Sequence, residues 1–283
     1  MADLQYRGAT AVVTGGARGI GRSIAHELAK RGTNVIIADL HEESAIETAR
    51  ELEQLGVSTL AHALDVSNVD AVEDMADRVF SRFGTVDILV NNAGVTMRPY
   101  RSIWEASQDD YQWMLNVNYL GVVNCVLAFV PRMREQSGRR HIVNTSSVAT
   151  LSRNTGHAMY GASKAAVDAF SDTLREEFSD HGDDIGVTIL YPGYITTSIA
   201  QTSEQSRNET NRSDKRPVVA YPHLDKKAPE SFHSPLAPEA VGPMVLRSMD
   251  LDAPYCTTHP IEPAFMDERT RLVVAGYFPE NKE

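Results

Sequence analysis

Short apolar runs alternate along this chain with longer stretches of helical periodicity, and that alternation restricts the fold more than any other feature. Ala9–Thr14, Asn34–Ala38, residues 57–64 and Val86–Val90 read as strands. Between them, Ile20, Ile24 and Leu28 share one helical face that ends at Gly32, and a helix over about 41–55 ends at Gly56. Val69, Val72, Met75, Ala76, Val79 and Phe83 keep helical spacing in the next segment. A long helix starts near Asp109, and Pro131 is expected to end or kink it, because proline lacks a backbone donor. A strand near 141–146, a helix from about His157 and a strand Val187–Tyr191 follow. The helix carries an apolar stripe of Val167, Phe170, Leu174 and Phe178, and small residues Ala162, Ala165, Ala166 and Ala169 that permit close packing. Strands alternating with helices are the pattern of an α/β fold, a doubly wound parallel sheet with helices on both faces.

The alternation stops after Pro192-Gly193. Residues 198–235 are polar, mixed in charge and carry several prolines, which reads as a lid or binding loop without regular structure. A helix over about 237–249, a short strand near 254–258 and a helical stretch near 264–275 complete the chain. Residues 1–283 thus read as one domain with a lid at about 198–235. A hydrophobic content of 42% is enough for a sizeable core. The net charge of −11 disfavours a nucleic-acid or anionic-membrane partner, either of which calls for a basic patch. No apolar h-region opens the chain, and no apolar run is expected to reach the length of a membrane span. Cys125 and Cys256 lie far apart in apolar surroundings and read as buried thiols of a cytoplasmic protein, with no paired Cys/His spacing for a structural zinc.

Thr14-Gly-Gly-Ala-Arg-Gly-Ile-Gly21 follows the first strand and opens the first helix. Glycines here allow a tight turn and close approach of backbone to a pyrophosphate, and the helix N-terminus offers unpaired amides to phosphates. Gly15, Arg18, Gly19, Ile20 and Gly21 form the candidate set. Asp39 ends the second strand, where a carboxylate accepts hydrogen bonds from adenosine ribose hydroxyls and repels a 2′-phosphate. It favours NAD over NADP; Arg18, a possible phosphate contact, argues the other way.

Tyr160 and Lys164 are four residues apart, so they share one face of a helix. Ser147 lies upstream, at the end of the apolar run His141-Ile-Val-Asn-Thr-Ser-Ser. A phenol, a cation and a hydroxyl are the parts needed to move a proton on and off a carbonyl oxygen. Free tyrosine, with a pKa of ~10, is too weak a base at neutral pH. A lysine charge at ~5 Å with an effective dielectric of ~20 contributes roughly 3 kcal/mol, enough to lower it by about 2 units. His141 and His157 invite an acid–base role, but capping or packing is the simpler reading.

Together these residues resemble the short-chain dehydrogenase/reductase family. Its glycine motif matches Thr14–Gly21, its Asn-Asn-Ala-Gly motif Asn91–Gly94, its helix asparagine Asn118, its serine Ser147, its Tyr-x-x-x-Lys pair Tyr160 and Lys164, and its Pro-Gly turn Pro192 and Gly193. The resemblance implies a Rossmann-like sheet of seven strands in the order 3-2-1-4-5-6-7 and a homotetramer or homodimer formed through the two long helices. It further implies that Asp65 and Val66 border the adenine and that Asn92 lies near the cofactor ribose. Ile195 and Thr197 would hold the nicotinamide carboxamide, and Asn118 would support a water relay to Lys164. The activity implied is NAD-dependent interconversion of a secondary alcohol and a ketone, with Tyr160 as general acid/base, Ser147 holding the substrate oxygen and Lys164 binding the nicotinamide ribose. The substrate wall is expected from Met97, Tyr100, Met159, Tyr194 and Tyr221, which suits a bulky hydrophobic or aromatic substrate. The run Phe129–Met133 and the long lid are similar to bacterial aryl-alcohol dehydrogenases of the family. Two other readings are a sugar-nucleotide epimerase on a related fold, which calls for a different glycine spacing, and a non-enzymatic NAD(H)-binding redox sensor, which commonly lacks the tyrosine or lysine.

Overall fold

The computed structural model describes residues 4–152, 154–210, 217–218 and 234–261. Seven strands form one parallel sheet: β1 Thr10–Thr14, β2 Asn34–Asp39, β3 Thr59–Ala63, β4 Ile88–Asn91, β5 Arg140–Thr145, β6 Ile185–Tyr191 and β7 Tyr255–Thr257. Their order is β3-β2-β1-β4-β5-β6-β7, as the resemblance implied. The crossovers are α1 Gly19–Lys30, α2 Glu42–Glu53, α3 Val69–Phe83, α4 Gln108–Leu115 running on into α5 Gly121–Arg134, and α6 Ala158–His181. After β6 come α7 Ile199–Thr210 and α8 Val241–Asp250.

Side chains alternate faces along a strand, and here both faces are covered, so the strands read as unbroken apolar runs. Val12 and Ile36 face a core built with Val126 and Phe129 of α5 and Val167 and Leu174 of α6. Their neighbours Val13 and Ile37 face the opposite core, with Ile24 and Leu28 of α1 and Val245 and Leu246 of α8. Local signals set the helix ends. Asn68 caps α3 by accepting from the Ala71 amide (3.2 Å), and Ser107 and Asp110 form a capping box at α4. α6 stops at Gly182, which adopts a left-handed conformation (φ 72°).

Strand order reverses between β1 and β4, so the loops leaving their C-terminal ends diverge and open a crevice, the usual ligand position in such sheets.

Three sequence expectations need correction here. Pro131 lies inside α5 and does not end it; the helix continues to Arg134. The bond forfeited is the one to Leu127, on the exposed side of the helix, where water can serve the carbonyl. Residues 199–210 are helical, so the segment 198–235 is not wholly irregular; Tyr221 and the helix expected at 264–275 lie outside the described residues. By length and composition Gln108–Arg134 could cross a membrane, contrary to the hydropathy reading, yet here it packs as a core helix against α3 and the sheet. A fourth concerns the substrate wall and is given below.

Candidate active site

The crevice is a cleft of about 650 Å³ running from the glycine loop to Tyr160 and on to α7. Gly15, Arg18, Gly19, Ile20, Asp39, Asp65, Val66, Asn92, Ser147, Tyr160, Lys164, Ile195 and Thr197 all line it. Asn118 does not; it is fully buried behind the wall.

The glycine turn is a cradle closed to side chains. A Cβ on Gly21 would stand 2.2 Å from the Gly15 carbonyl, and one on Gly15 2.9 Å from Ala93 Cα. Gly15 and Gly19 have φ of +61° and +53°, a region L-residues with side chains avoid. The turn is braced from β4: Asn92 Nδ2 donates to the Thr14 and Gly15 carbonyls, both at 3.1 Å. Thr14 Oγ1 accepts from the Asn92 and Ala93 amides. Asn92 thus acts chiefly on the protein's own loop. Among the described residues the N-cap Arg18 makes no side-chain cap to α1, which leaves first-turn amides that fit a dinucleotide pyrophosphate. Asp39 Oδ2 accepts from the Ala17 amide (3.1 Å) and Oδ1 from the His41 amide (3.0 Å), which fixes the carboxylate at the end of β2. Arg18 donates instead to Ser44 of α2 (2.6 Å). Thr197 packs its methyl over the Gly19 turn, 3.0 Å from where a Cβ would be.

At the other end, the Ser147 hydroxyl stands beside the Tyr160 phenol and accepts from the Ala149 amide (3.1 Å). Lys164 is buried, and its Nζ donates to the Thr145 carbonyl (2.7 Å). Asn118 sits in a π-helical turn, Asn116–Leu120, between α4 and α5. Its side chain clamps the chain leaving β4, accepting from the Val95 amide (2.8 Å) and donating to the Val95 carbonyl (3.0 Å) and Ser163 Oγ (3.0 Å). A Cβ on Gly94 would lie 3.1 Å from Asn118 Oδ1 and 3.4 Å from Lys164 Nζ, so this glycine lets both groups converge.

The electrostatics differ from the expectation that Lys164 lowers the Tyr160 phenol. Burial pushes the phenol up, and the Ser147 hydroxyl only partly opposes it. Burial also brings Lys164 from an ordinary 10.5 down to about 8, against the pull of Asp168 one turn on. The unfolded chain therefore binds more protons than the folded one between those values, and stability rises with pH there. Relative to Lys164→Met, the parent protein is expected to gain up to about 3 kcal/mol as pH rises from about 8 toward 10.5 in urea unfolding without ligand. A constant difference between the two proteins would contradict the buried charge.

The substrate end is lined by Tyr100, Trp113, Val148, His157, Tyr194 and Ile199, among others. Met97 and Met159 are not part of it. They are buried with Met114 in a small core behind the wall, because an apolar residue near a site says nothing of which way it points. His141 is buried on β5, shares a 2.8 Å hydrogen bond with Thr188 and is pushed down to about 4 by burial, so it packs. His157 is the residue before α6 and yet makes no side-chain cap; its ring lies on Tyr160, a contact no sequence signal announces.

A glycine turn at the switch point of a doubly wound sheet, facing a Ser-Tyr-Lys set, defines a nucleotide-binding oxidoreductase class of fold and site. The short chain dehydrogenase family profile matches residues 9–208, and the chain belongs to the short-chain dehydrogenase/reductase family. It is 39% identical over 199 residues to a Mycobacterium tuberculosis protein named "Probable oxidoreductase EphD", a match covering 70% of this chain and 33% of that one. The chain thus spans about a third of the length of that relative. It is 33% identical over 204 residues to 1-deoxy-11-beta-hydroxypentalenate dehydrogenase of Streptomyces avermitilis, covering 72% of this chain and 75% of that one. Among solved structures, a short chain dehydrogenase/reductase from Burkholderia phymatum in complex with NAD superposes with a TM-score of 0.86 at 30% identity, covering 99% of both chains.

Proposed function

We propose that this protein is an NAD-dependent oxidoreductase that interconverts a secondary alcohol and a ketone, with a bulky hydrophobic or aromatic substrate. The observation that carries the reading is the convergence of Ser147, Tyr160 and buried Lys164 on the same cleft as the glycine cradle. The bound nicotinamide supplies hydride acceptance and donation. Ser147 holds the substrate oxygen, and Tyr160 takes the hydroxyl proton in oxidation and returns it in reduction. Because burial raises the phenol, Tyr160 needs positive charge beside it before it can act as a base; Lys164 and the oxidised cofactor both bring it. Lys164 also holds the nicotinamide ribose, and Asn118 orders the relay behind it through its grip on Val95.

The single Rossmann-like domain is completed by 198–235 as its substrate lid. Trp113, Tyr194 and Ile199 favour a bulky apolar substrate, and the Streptomyces relative is named for a hydroxylated one. The outward faces of the two long helices, with exposed Leu120 and Leu127 on one and Ala162, Ala165 and Ala169 on the other, suit association into a homodimer or homotetramer in the cytoplasm.

Asp39, fixed at the end of β2, supports NAD over NADP. A 2′-phosphate charge at ~5 Å and an effective dielectric of ~20 would meet about 3 kcal/mol of repulsion, on the order of a hundredfold in kcat/KM. The test compares NAD with NADP on aryl carbinols, steroids and polyols, using Asp39→Ala as the control. The expected result is an NAD preference that collapses in Asp39→Ala and turnover of aryl carbinols or steroids above polyols. Equal use of NADP by the parent protein would remove the Asp39 argument.

A further inference from the structure

The His157 ring lies parallel to Tyr160, with centroids 4.6 Å apart and planes 10° from each other. It is held from three sides. Its Nε2 shares a 3.0 Å hydrogen bond with Thr96 Oγ1. The Tyr100 ring meets it edge-on at 5.3 Å, and the Arg98 guanidinium covers Tyr100 at 3.9 Å. Thr96 is itself fixed, since its amide donates to Ser203 Oγ of α7 (2.9 Å), a serine that is 1% exposed. His157 occupies the N-cap position of α6 without capping it. Its ring is spent on Tyr160 and Thr96 instead.

A phenol can swing about its χ angles, and proton transfer needs its oxygen within hydrogen-bond reach of the substrate oxygen. One part of the Tyr160 ring packs against the Met97, Met114 and Met159 core, and the His157 ring covers its flat face. We propose that His157 is a positioning residue for Tyr160, its flat face fixing the tyrosine ring and its Thr96 hydrogen bond tying that fix to Ser203 on α7. The imidazole acts as a neutral plate, because burial and the Arg98 charge hold it down to about 4. The helix that follows the Ile195–Thr197 turn is thereby connected through Ser203, Thr96 and His157 to the reacting hydroxyl.

This inference rests on the reading of Tyr160 as the acid/base, so its test is built to fail separately. The intact protein is labelled with 3-fluorotyrosine and followed by fluorine NMR across pH; Tyr160→Phe identifies the Tyr160 resonance among those of the 10 tyrosines. Its titration is read against Ser147 on the β5 loop, with Lys164 in the same cleft and Arg98 and Tyr100 beyond His157. His157→Ala is expected to shift and broaden that resonance and move its titration, with NADH affinity unchanged. His157→Phe, which restores a flat ring, is expected to return it close to the parent position, and Thr96→Val to give an intermediate shift. With the alcohol turned over by the parent, kcat is expected to fall about tenfold to a hundredfold in His157→Ala, with KM for NAD unchanged, and to recover in His157→Phe. A Tyr160 resonance that does not move in His157→Ala would overturn the inference alone, as would equal perturbation in His157→Phe. Turnover that survives Tyr160→Phe would overturn the acid/base reading instead.

Discussion

Tyr160→Phe is expected to lower kcat by about a thousandfold while leaving NADH affinity within about twofold of the parent, as read by steady-state turnover and by NADH fluorescence titration. The substitution removes one oxygen and leaves the ring, so the His157 stack and the helix around it stay in place. The Ser147 hydroxyl keeps the Ala149 amide. The cofactor contacts proposed for the glycine turn, Asp39 and the β4 loop lie away from the deleted oxygen. A large loss in kcat with binding preserved is the mark of a group that acts in the transition state and not in ground-state binding. Comparable losses in both quantities would mean that the variant had disturbed the cleft itself.

The second large effect is expected from Gly21→Ala. The added methyl would sit 2.2 Å from the Gly15 carbonyl and 2.5 Å from Asn92 Nδ2, so α1 must back away from the turn it packs against. Neither neighbour can yield cheaply, because the Gly15 carbonyl is backbone and Asn92 Nδ2 is already donating to both Thr14 and Gly15. The first-turn amides then leave the position in which the proposed function has them meet the cofactor phosphates. NADH affinity is expected to fall about a hundredfold, and overpacking to cost roughly 1–3 kcal/mol of stability in thermal unfolding. Gly56→Ala is the matched control. Unlike the helical Gly21 it has a positive φ (+84°), which an added side chain strains, but it meets nothing within 4 Å, so it should cost some stability and no cofactor affinity. Equal affinity losses in the two variants would show that the effect is general destabilisation.

Much of this architecture was legible in the sequence for a simple reason: strands covered on both faces appear as unbroken apolar runs. β1, β2, β4 and β6 were visible in that way, and the glycine loop and Tyr160–Lys164 spacing located both ends of the cleft. What stayed hidden depends on direction and burial, which spacing does not encode. Met97 and Met159 looked like substrate wall because they are apolar and near the site, yet both point into a core with Met114. Tyr160 and Lys164 looked like a pair in which the cation lowers the phenol. Burial acts on both groups at once, raising the tyrosine and lowering the lysine. Asn118 carries no periodic signature of the π turn that holds it, and Pro131 read as a helix stop although only a solvent-side bond is lost. His157 matters through a ring contact that no motif requires.

Hydride transfer by this protein is the claim on which the rest depends, and the most direct measurement follows NADH formation by near-ultraviolet absorbance. The protein and its Tyr160→Phe variant are each mixed with NAD and a panel of secondary alcohols spanning aryl carbinols, steroids, hydroxyacyl thioesters and polyols. The account predicts turnover of one class by the parent protein and none above background by the variant. NADH that binds tightly to a protein with no turnover on any alcohol, or on the matching ketones, would contradict it; that is the behaviour of a nicotinamide-binding sensor on the same fold.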